Sequence, residues 1–377
     1  MKALVSAYAR SPFHFARKGA LAEVRPDTLA AAVVRDLLRR TGLDPALLED
    51  LILGCAYPEA AQGNNLARIV GLLAGLPLEV GGMTVNRFCG SSMQAVHIAA
   101  AQIEAGVGEA YLCVGVESMS MVPQGGFNFS PHPQLQAETA AYISMGETAE
   151  NVALRWNVGR ADQEALAVAS HRKAAAAREQ GRLAAEIVPI VLPDGSRVEA
   201  DGCIRPATSA QALAALRPAF RPDGVVTAGT SSPLTDGAAA VLVTSDAFAE
   251  RHGLAPLARV RSFATVGVDP AIMGIGPIPA TRKALARAGL TVADLDVVEI
   301  NEAFSSQALA CIRDLGLAME TVNLDGGGLA IGHPLGATGA RITGKAAALL
   351  ARGGGRYALA TQCIGGGQGI ATVLERV

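Results

Sequence analysis

Aromatic side chains are scarce in this chain. Of 377 residues one is Trp, five are Tyr and nine are Phe, 4% in all, although hydrophobic residues make up 50%. The core must therefore be built mostly from Ala, Val, Leu and Ile. Lysine is rarer still. Lys2, Lys18, Lys173, Lys283 and Lys345 are the whole set, and the other basic residues are arginine, which reads as a bias of genome or growth temperature rather than of function. No charge excess exists: the net charge is −2, which argues against a nucleic-acid protein or a polybasic membrane binder. No apolar run approaches the ~20 residues that cross a bilayer. The opening stretch MKALVSAYARSPF reads as a first strand, too short for the apolar region of a signal peptide. The six cysteines, 55, 89, 113, 203, 311 and 363, include no Cys-x-x-Cys pair and no Cys/His group with zinc spacing, so no metal is expected. A disulfide framework does not suit a chain of this size without a secretory signal, and a reducing, cytoplasmic setting is the expectation.

Glycine is abundant, with 42 residues, which implies many tight turns and close backbone approaches. The length suits two or three units of ~100–200 residues. The first part alternates strands and helices: a strand at Ala3–Ala7, a helix at Thr28–Arg40 with Asp27 as N-cap and Gly42 beyond it, a strand at Leu51–Cys55, and a helix at Asn65–Ala74. A strand at Thr84–Phe88, a helix from Ser91 and a strand at Ala110–Val116 follow. Such alternation implies right-handed βαβ units and a sheet covered by helices. The pattern breaks near Glu117. Ser118–Leu234 is richer in Pro, Gly and polar residues, with helical segments near Gly146–Trp156 and Asp162–Gln180 and strand candidates near Ile187–Leu192. It reads as an inserted unit of the kind that carries substrate binding.

After a strand at Gly237–Ser245 the alternation resumes. Strands are expected at Ala258–Val266, Val297–Ile300, Thr321–Leu324, Tyr357–Thr361 and Gly369–Glu375, and helices at Pro279–Ala288, Ala303–Leu315 and Leu335–Leu350. The order of elements reads as one unit used twice, with Val85-Asn86 echoed by Val322-Asn323. The expected division is 1–117 with 235–255 for the first half, 118–234 for the insertion and 256–377 for the second half.

Four stretches then carry the chemistry. Cys89 stands between a strand end and a helix on which Met93, Val96, Ala100 and Ile103 share a face and Gly106 is the stop. A helix N-terminus lowers a thiol pKa and favours the nucleophilic thiolate, although the ordinary fate of a lone cysteine is burial. Glu299-Ile300-Asn301-Glu302-Ala303-Phe304 ends another strand. Gly326-Gly327-Gly328 leads to His333, and Cys363 precedes Gly365-Gly366-Gly367. Each stretch is expected just beyond the C-terminal end of a parallel strand, the edge where sites form in doubly wound sheets. Two Cys, a His, an Asn and glycine-borne N–H groups meeting there would supply a nucleophile, its base, a second acid/base and oxyanion donors for acyl transfer through a thioester. Two nucleotide motifs fail. Gly339 to Lys345 has P-loop spacing, but Ala346 replaces the Ser/Thr and the stretch is helical. No G-x-G-x-x-G opens a helix, which argues against a nicotinamide enzyme.

NRFCGSSMQAV, NEAF, GGGLAIGHPLGATGAR and CIGGGQG together resemble the four signature blocks of the thiolases, in order, and ARSPF, AENVA, RPAF and VTAGTSSPLTDGAAAVLV extend the resemblance along nearly the whole chain. It is nearest to the degradative bacterial 3-ketoacyl-CoA thiolases; the alternatives are the acetoacetyl-CoA-forming acetyl-CoA C-acetyltransferases and the 3-oxoadipyl-CoA thiolases. The resemblance implies an α/β fold, the duplicated five-layer αβαβα thiolase fold with an inserted loop domain, and a homodimer or homotetramer. It implies coenzyme A as co-substrate, no bound cofactor, and a hydratase/dehydrogenase subunit of a β-oxidation complex as a partner. It assigns Cys89 as acyl-accepting nucleophile, His333 as its base, Asn301 as holder of a water beside His333, and Cys363 as the second acid/base. The N–H groups of Cys89 and Gly365 would form an oxyanion hole. Ser232, Arg205, Met145 and Phe304 would line the CoA and pantetheine path. Biosynthetic members commonly carry His where this chain has Ser144, which leans the reading toward degradation. A decarboxylating condensing enzyme is disfavoured by NEAF and Cys363, and a catalytically silent scaffold by the presence of Cys89, His333 and Cys363.

Overall fold

A computed structural model describes residues 1–377. The first half runs β1 (Ala3–Arg10), β2 (His14–Phe15), α1 (Pro26–Thr41), β3 (Asp50–Gly54), α2 (Leu66–Ala74), β4 (Gly81–Val85), α3 (Ser91–Glu104) and β5 (Ala110–Ser118). Smaller elements follow: α4 (Pro133–Glu138), α5 (Met145–Arg155), α6 (Arg160–Glu179), β6 (Ile190–Val191), β7 (Arg197–Val198) and α7 (Ala210–Ala214). The chain returns through β8 (Thr235–Ser245) and α8 (Asp246–Arg251). The second half is β9 (Ala258–Gly267), α9 (Pro277–Ala288), β10 (Val297–Ile300), α10 (Ser305–Leu315), α11 (Gly328–Ile331), α12 (Leu335–Gly353), β11 (Tyr357–Ile364) and β12 (Gln368–Glu375).

The strand order is β4-β3-β5-β8-β1 in the first half and β10-β11-β12-β9 in the second. The two half-sheets join where Leu4 and Val5 pair with Arg259 and Ala258. Within each half the pairing repeats. β3 is parallel to β5, and β5 is antiparallel to β8; β10 is parallel to β11, and β11 is antiparallel to β12. The expected strand Thr321–Leu324, counterpart of β4, survives only as a parallel bridge of Val322 to Val298. Asn323 replaces ladder bonds there: its side chain accepts from Ile300 N–H and donates to Ile300 C=O.

Alternation along the strands makes five layers. Ile52 of β3 and Val241 of β8 face inward with Ala360 of β11 and Ile370 of β12, against Met93, Val96 and Ala100 of α3 and Ala340 and Leu350 of α12. Leu51, Leu53 and Leu242 face the other way onto Leu29, Val33 and Val34 of α1. Val298, Leu359 and Val373 face outward onto Ile278 and Leu285 of α9 and Ile312 of α10. The shared helices between the two sheets leave little room for bulk. At Gly339 of α12 an added Cβ would lie 2.8 Å from Met93 Cβ, closer than carbon atoms pack.

Asp27 does not cap α1. Arg25 holds the N-cap place, Pro26 opens the helix, and the Asp27 carboxylate accepts instead from Arg25 (2.6 Å) and Thr28 N–H (2.8 Å). Lys345, the lysine of the false P-loop, is buried in α12 and pairs with Glu186 and Asp325, both at 2.9 Å. Glu186 also binds fully buried Arg10 at 2.8 Å, and Asp201 grips the same guanidinium at 2.7 and 2.8 Å. These ion pairs fasten the segment between β5 and β8 to β1 and α12. No helix is long and apolar enough to cross a membrane.

Candidate active site

Cys89 stands on a turn that its neighbours force. β4 ends at Val85, three residues short of the Phe88 expected from the sequence. The Asn86 side chain accepts from Phe88 N–H at 2.8 Å, and Phe88 adopts φ +42°, a left-handed conformation that costs a non-glycine residue ~1–2 kcal/mol. Phe88–Gly90 then forms a tight turn, and α3 starts at Ser91. Cys89 is half-buried among Tyr57, Met119 and Leu335.

The helix setting does not leave Cys89 ionised. Burial pushes its thiol up to about 11, against the opposing N–H groups of Gly365 and of Cys89 itself. The dipole of α3 is outweighed because the thiol is taken from water. The resting residue is therefore a thiol, aimed at the two backbone donors.

Cys363 lies inside β11 and not in a loop beyond it. Its side chain faces outward, 1% exposed, among Ala149, Met273, Ala303 and Phe304, with Met145 packed alongside. Burial and then the neighbouring Cys89 push its thiol pKa well up. The flanking Gln362 faces inward and its amide donates to Cys89 C=O. Ile364 also faces inward, and a Cβ on Gly90 would lie 2.6 Å from its Cδ1.

Asn301 follows β10 directly. It does not cap α10, whose N-cap is Phe304. Its Nδ2 donates to His333 Nε2 at 3.3 Å, and its Oδ1 is buried without a partner. Since Nε2 accepts, the imidazole proton sits on Nδ1 and is donated to Thr338 Oγ1 at 2.6 Å. Thr338 in turn donates to Pro334 C=O at 3.2 Å. The His333 N–H is held by Thr235 Oγ1 at 3.1 Å. Burial, then the Arg341 charge, depress His333 to about 3, so it is neutral at physiological pH with its lone pair on Nε2. Two residues on, Leu335 belongs to the small cluster against which Cys89 packs.

Of the residues expected to line a substrate path, three gather here. Met145 Sδ would stand 3.5 Å from a Cβ on Gly365. Phe304 is bridged to Ser231, and Ser232 N–H donates to Ala303 C=O at 2.9 Å. Arg205 does not join them. It lies over the Phe15 ring at 4.9 Å, its N–H donates to His171 Nδ1 at 3.1 Å, and it lines a separate small cavity with Cys203, Ser231 and Pro233. Ser144, at the position where His marks the biosynthetic branch, caps α5 by accepting from Glu147 N–H. No group of three or more His, Cys, Asp or Glu side chains is placed to hold a metal ion.

Residues 3–247 match the model for the thiolase N-terminal domain, and residues 254–376 match that for the thiolase C-terminal domain. The chain belongs to the thiolase family. It is 49% identical over 379 aligned positions to proteins named 3-ketoacyl-CoA thiolase from Shewanella denitrificans (strain OS217), Shewanella baltica (strain OS155) and Shewanella putrefaciens (strain CN-32), covering 98% of this chain and 97% of each relative. The duplicated α/β architecture fits that membership.

Sequence reasoning missed four residues in this thiolase site. Thr338 lies within a motif already singled out, five residues after His333, and its role emerges only once α12 folds back toward the imidazole. Gln362 was hidden because Cys363 had been placed beyond its strand. Phe88 betrays nothing in sequence, since its left-handed backbone is a tertiary demand. Glu117, whose buried carboxylate accepts from the N–H groups of Ala56, Tyr57 and Gly336 beside this site, marked only the end of a pattern.

Proposed function

We propose that this thiolase is an acyl-CoA C-acyltransferase that cleaves 3-ketoacyl-CoA with CoA, giving acetyl-CoA and an acyl-CoA two carbons shorter. The observation that carries the reading is the approach of two thiols, half-buried Cys89 and buried Cys363, together with a neutral His333 whose Nε2 carries no proton and accepts only from the Asn301 amide. His333 removes the Cys89 proton, and the thiolate adds to the 3-keto carbon. The carbon–carbon bond breaks, the acyl group stays on Cys89, and acetyl-CoA leaves as an enolate that Cys363 protonates at carbon. Cys363, now a thiolate, takes the proton of incoming CoA. That CoA thiolate displaces Cys89, which recovers its proton from His333. The cycle is ping-pong, and in reverse it is a Claisen condensation.

Two oxyanions need donors. The N–H groups of Cys89 and Gly365 serve the adduct oxygen on Cys89, and protonated His333 with a water held by Asn301 serves the enolate. Each such donor is worth ~3–4 kcal/mol. Residues 118–234 form the CoA and substrate domain, with Ser232, Met145 and Phe304 along the pantetheine path and Arg205 further out toward the CoA phosphates. Ser144, where biosynthetic members commonly carry His, favours the degradative branch, in fatty-acid β-oxidation in the cytoplasm, as a homodimer or homotetramer that a hydratase/dehydrogenase subunit can join. Initial rates with 3-ketoacyl-CoAs of increasing chain length, run beside Cys89→Ala, test the reading. Thiolysis by the parent and none by the variant is expected; normal turnover by Cys89→Ala would sink it.

A further inference from the structure

Glu117, near the end of β5, is fully buried yet carries a carboxylate on which four nitrogen donors converge. Its Oε2 accepts from Ala56 N–H at 2.8 Å and Gly336 N–H at 2.9 Å. Its Oε1 accepts from Gln62 Nε2 at 2.8 Å and Tyr57 N–H at 3.2 Å. The Gln62 amide cannot turn over to suit a different partner. Its Oε1 already accepts from Ser118 N–H at 2.6 Å, and its Nε2 also donates to Tyr57 C=O at 2.7 Å.

The donors come from both halves of the molecule. On one side, Tyr57 packs on the same small cluster as Cys89 and lies 6.0 Å from the Phe88 ring. Ala56 C=O accepts from the Asn86 amide at 3.0 Å, and Asn86 in turn fixes Phe88 N–H, so the hydrogen bonds run from Glu117 to the strained turn of the nucleophile. On the other side, Gly336 is the second residue of α12 and the third after His333. The fit there is close: a Cβ on Gly336 would lie 2.6 Å from Val116 O and 2.8 Å from Gly54 O. The carboxylate also places a negative charge at the N-terminus of a 19-residue helix, where it is favoured. Burial raises the Glu117 pKa, and the converging N–H groups oppose that.

We infer that Glu117 is a positioning residue, whose carboxylate ties the loop behind Cys89 to the start of α12 and so holds the nucleophile and its base in register across the two halves. The inference rests on the reading of Cys89 and His333 as nucleophile and base. Only a carboxylate can satisfy all four donors. The amide of Glu117→Gln has one accepting oxygen, so its NH2 would face either Ala56 and Gly336 or Tyr57 and Gln62, and two buried N–H donors would lose their partner. Glu117→Asp keeps the charge but withdraws it by one methylene.

The test is steady-state thiolysis by the parent, Glu117→Gln and Glu117→Asp, with thermal melting and iodoacetamide labelling of Cys89 alongside. A parent that does not cleave 3-ketoacyl-CoA would overturn the functional reading itself, separately from this inference. With an active parent, the expected result for folded Glu117→Gln is a kcat at least about tenfold lower, KM for CoA within about twofold, and Cys89 still labelled, with Glu117→Asp between the two. A folded Glu117→Gln with kcat within about twofold of the parent, or a loss carried by KM for CoA, overturns it. Should Glu117→Gln not fold, Glu117→Asp decides by the same criteria.

Discussion

Replacing Thr338 by Val should damage catalysis without removing any group that touches the substrate. Thr338 is fully buried, and its hydroxyl is the acceptor for His333 Nδ1–H at 2.6 Å. Valine keeps the shape and deletes the acceptor. A buried N–H left unpaired costs ~1–3 kcal/mol. The imidazole can avoid that cost by moving its proton to Nε2. The structure offers this escape a partner, because Asn301 Oδ1 is unpartnered and a turn of its amide would let it accept from Nε2–H. In that tautomer Nε2 has no lone pair, and His333 cannot serve as the proposed base of Cys89. The population of the competent tautomer falls by the same ~1–3 kcal/mol, which converts to ~5–150-fold in kcat at ~1.4 kcal/mol per factor of ten. Initial rates of 3-ketoacyl-CoA cleavage at saturating CoA measure this directly. Thr338→Ser, which restores the hydroxyl, should recover to within about threefold. Full activity in Thr338→Val would refute the tautomer argument. A Thr338→Ser variant as slow as Thr338→Val would show that the methyl packing, not the hydrogen bond, matters.

Further outcomes follow from the same geometry. His333 is depressed to about 3 and Cys89 raised to about 11, so the competent pair, neutral imidazole and thiol, persists between those values. The pH profile of kcat/KM should accordingly show no acidic limb near the usual histidine value of ~6.5, and a limb there would contradict the buried neutral imidazole. Cys363→Ala should block turnover while iodoacetamide still alkylates Cys89; loss of labelling would argue against separate roles for the two thiols. Arg10→Met should strand the Asp201 carboxylate and part of Glu186 in the interior, costing ~3–5 kcal/mol by chemical denaturation, and a cost under about 1 kcal/mol would mean those pairs contribute only as exposed ones do.

Much of the architecture was legible because it repeats. The order of elements announced two similar halves, and each half-sheet has the same run of parallel and antiparallel neighbours. The element that misled was Thr321–Leu324. Its pattern promised a strand, but Asn323 satisfies the Ile300 backbone with its side chain, and the edge shrinks to one bridge. Local propensity could not see that substitution, because the partner is twenty-three residues away. Cys363 was misplaced for a related reason. The glycines after it mark a turn, yet β11 runs on to Ile364 because Cys363 and Ile364 pair with Gly369 and Gln368 of β12.

The thiol of Cys89 shows why position in a motif and electrostatic state must be argued separately. A helix start beside a cysteine predicts a lowered pKa, and for an exposed thiol that reasoning holds. Here the same packing that aims Cys89 at two backbone N–H groups also removes it from water, and desolvation wins. A thiol held protonated makes an independent base a necessity. The burial that keeps Cys89 protonated also keeps His333 neutral, with Thr338 and Asn301 assigning its proton to Nδ1. The two shifts therefore cooperate: each alone would leave a poor nucleophile or an idle imidazole, and together they leave one proton with one place to go when substrate arrives. In the resting thiol the N–H groups of Cys89 and Gly365 oppose burial without overcoming it. In the proposed cycle their larger effect comes after that transfer, once negative charge has appeared in front of them.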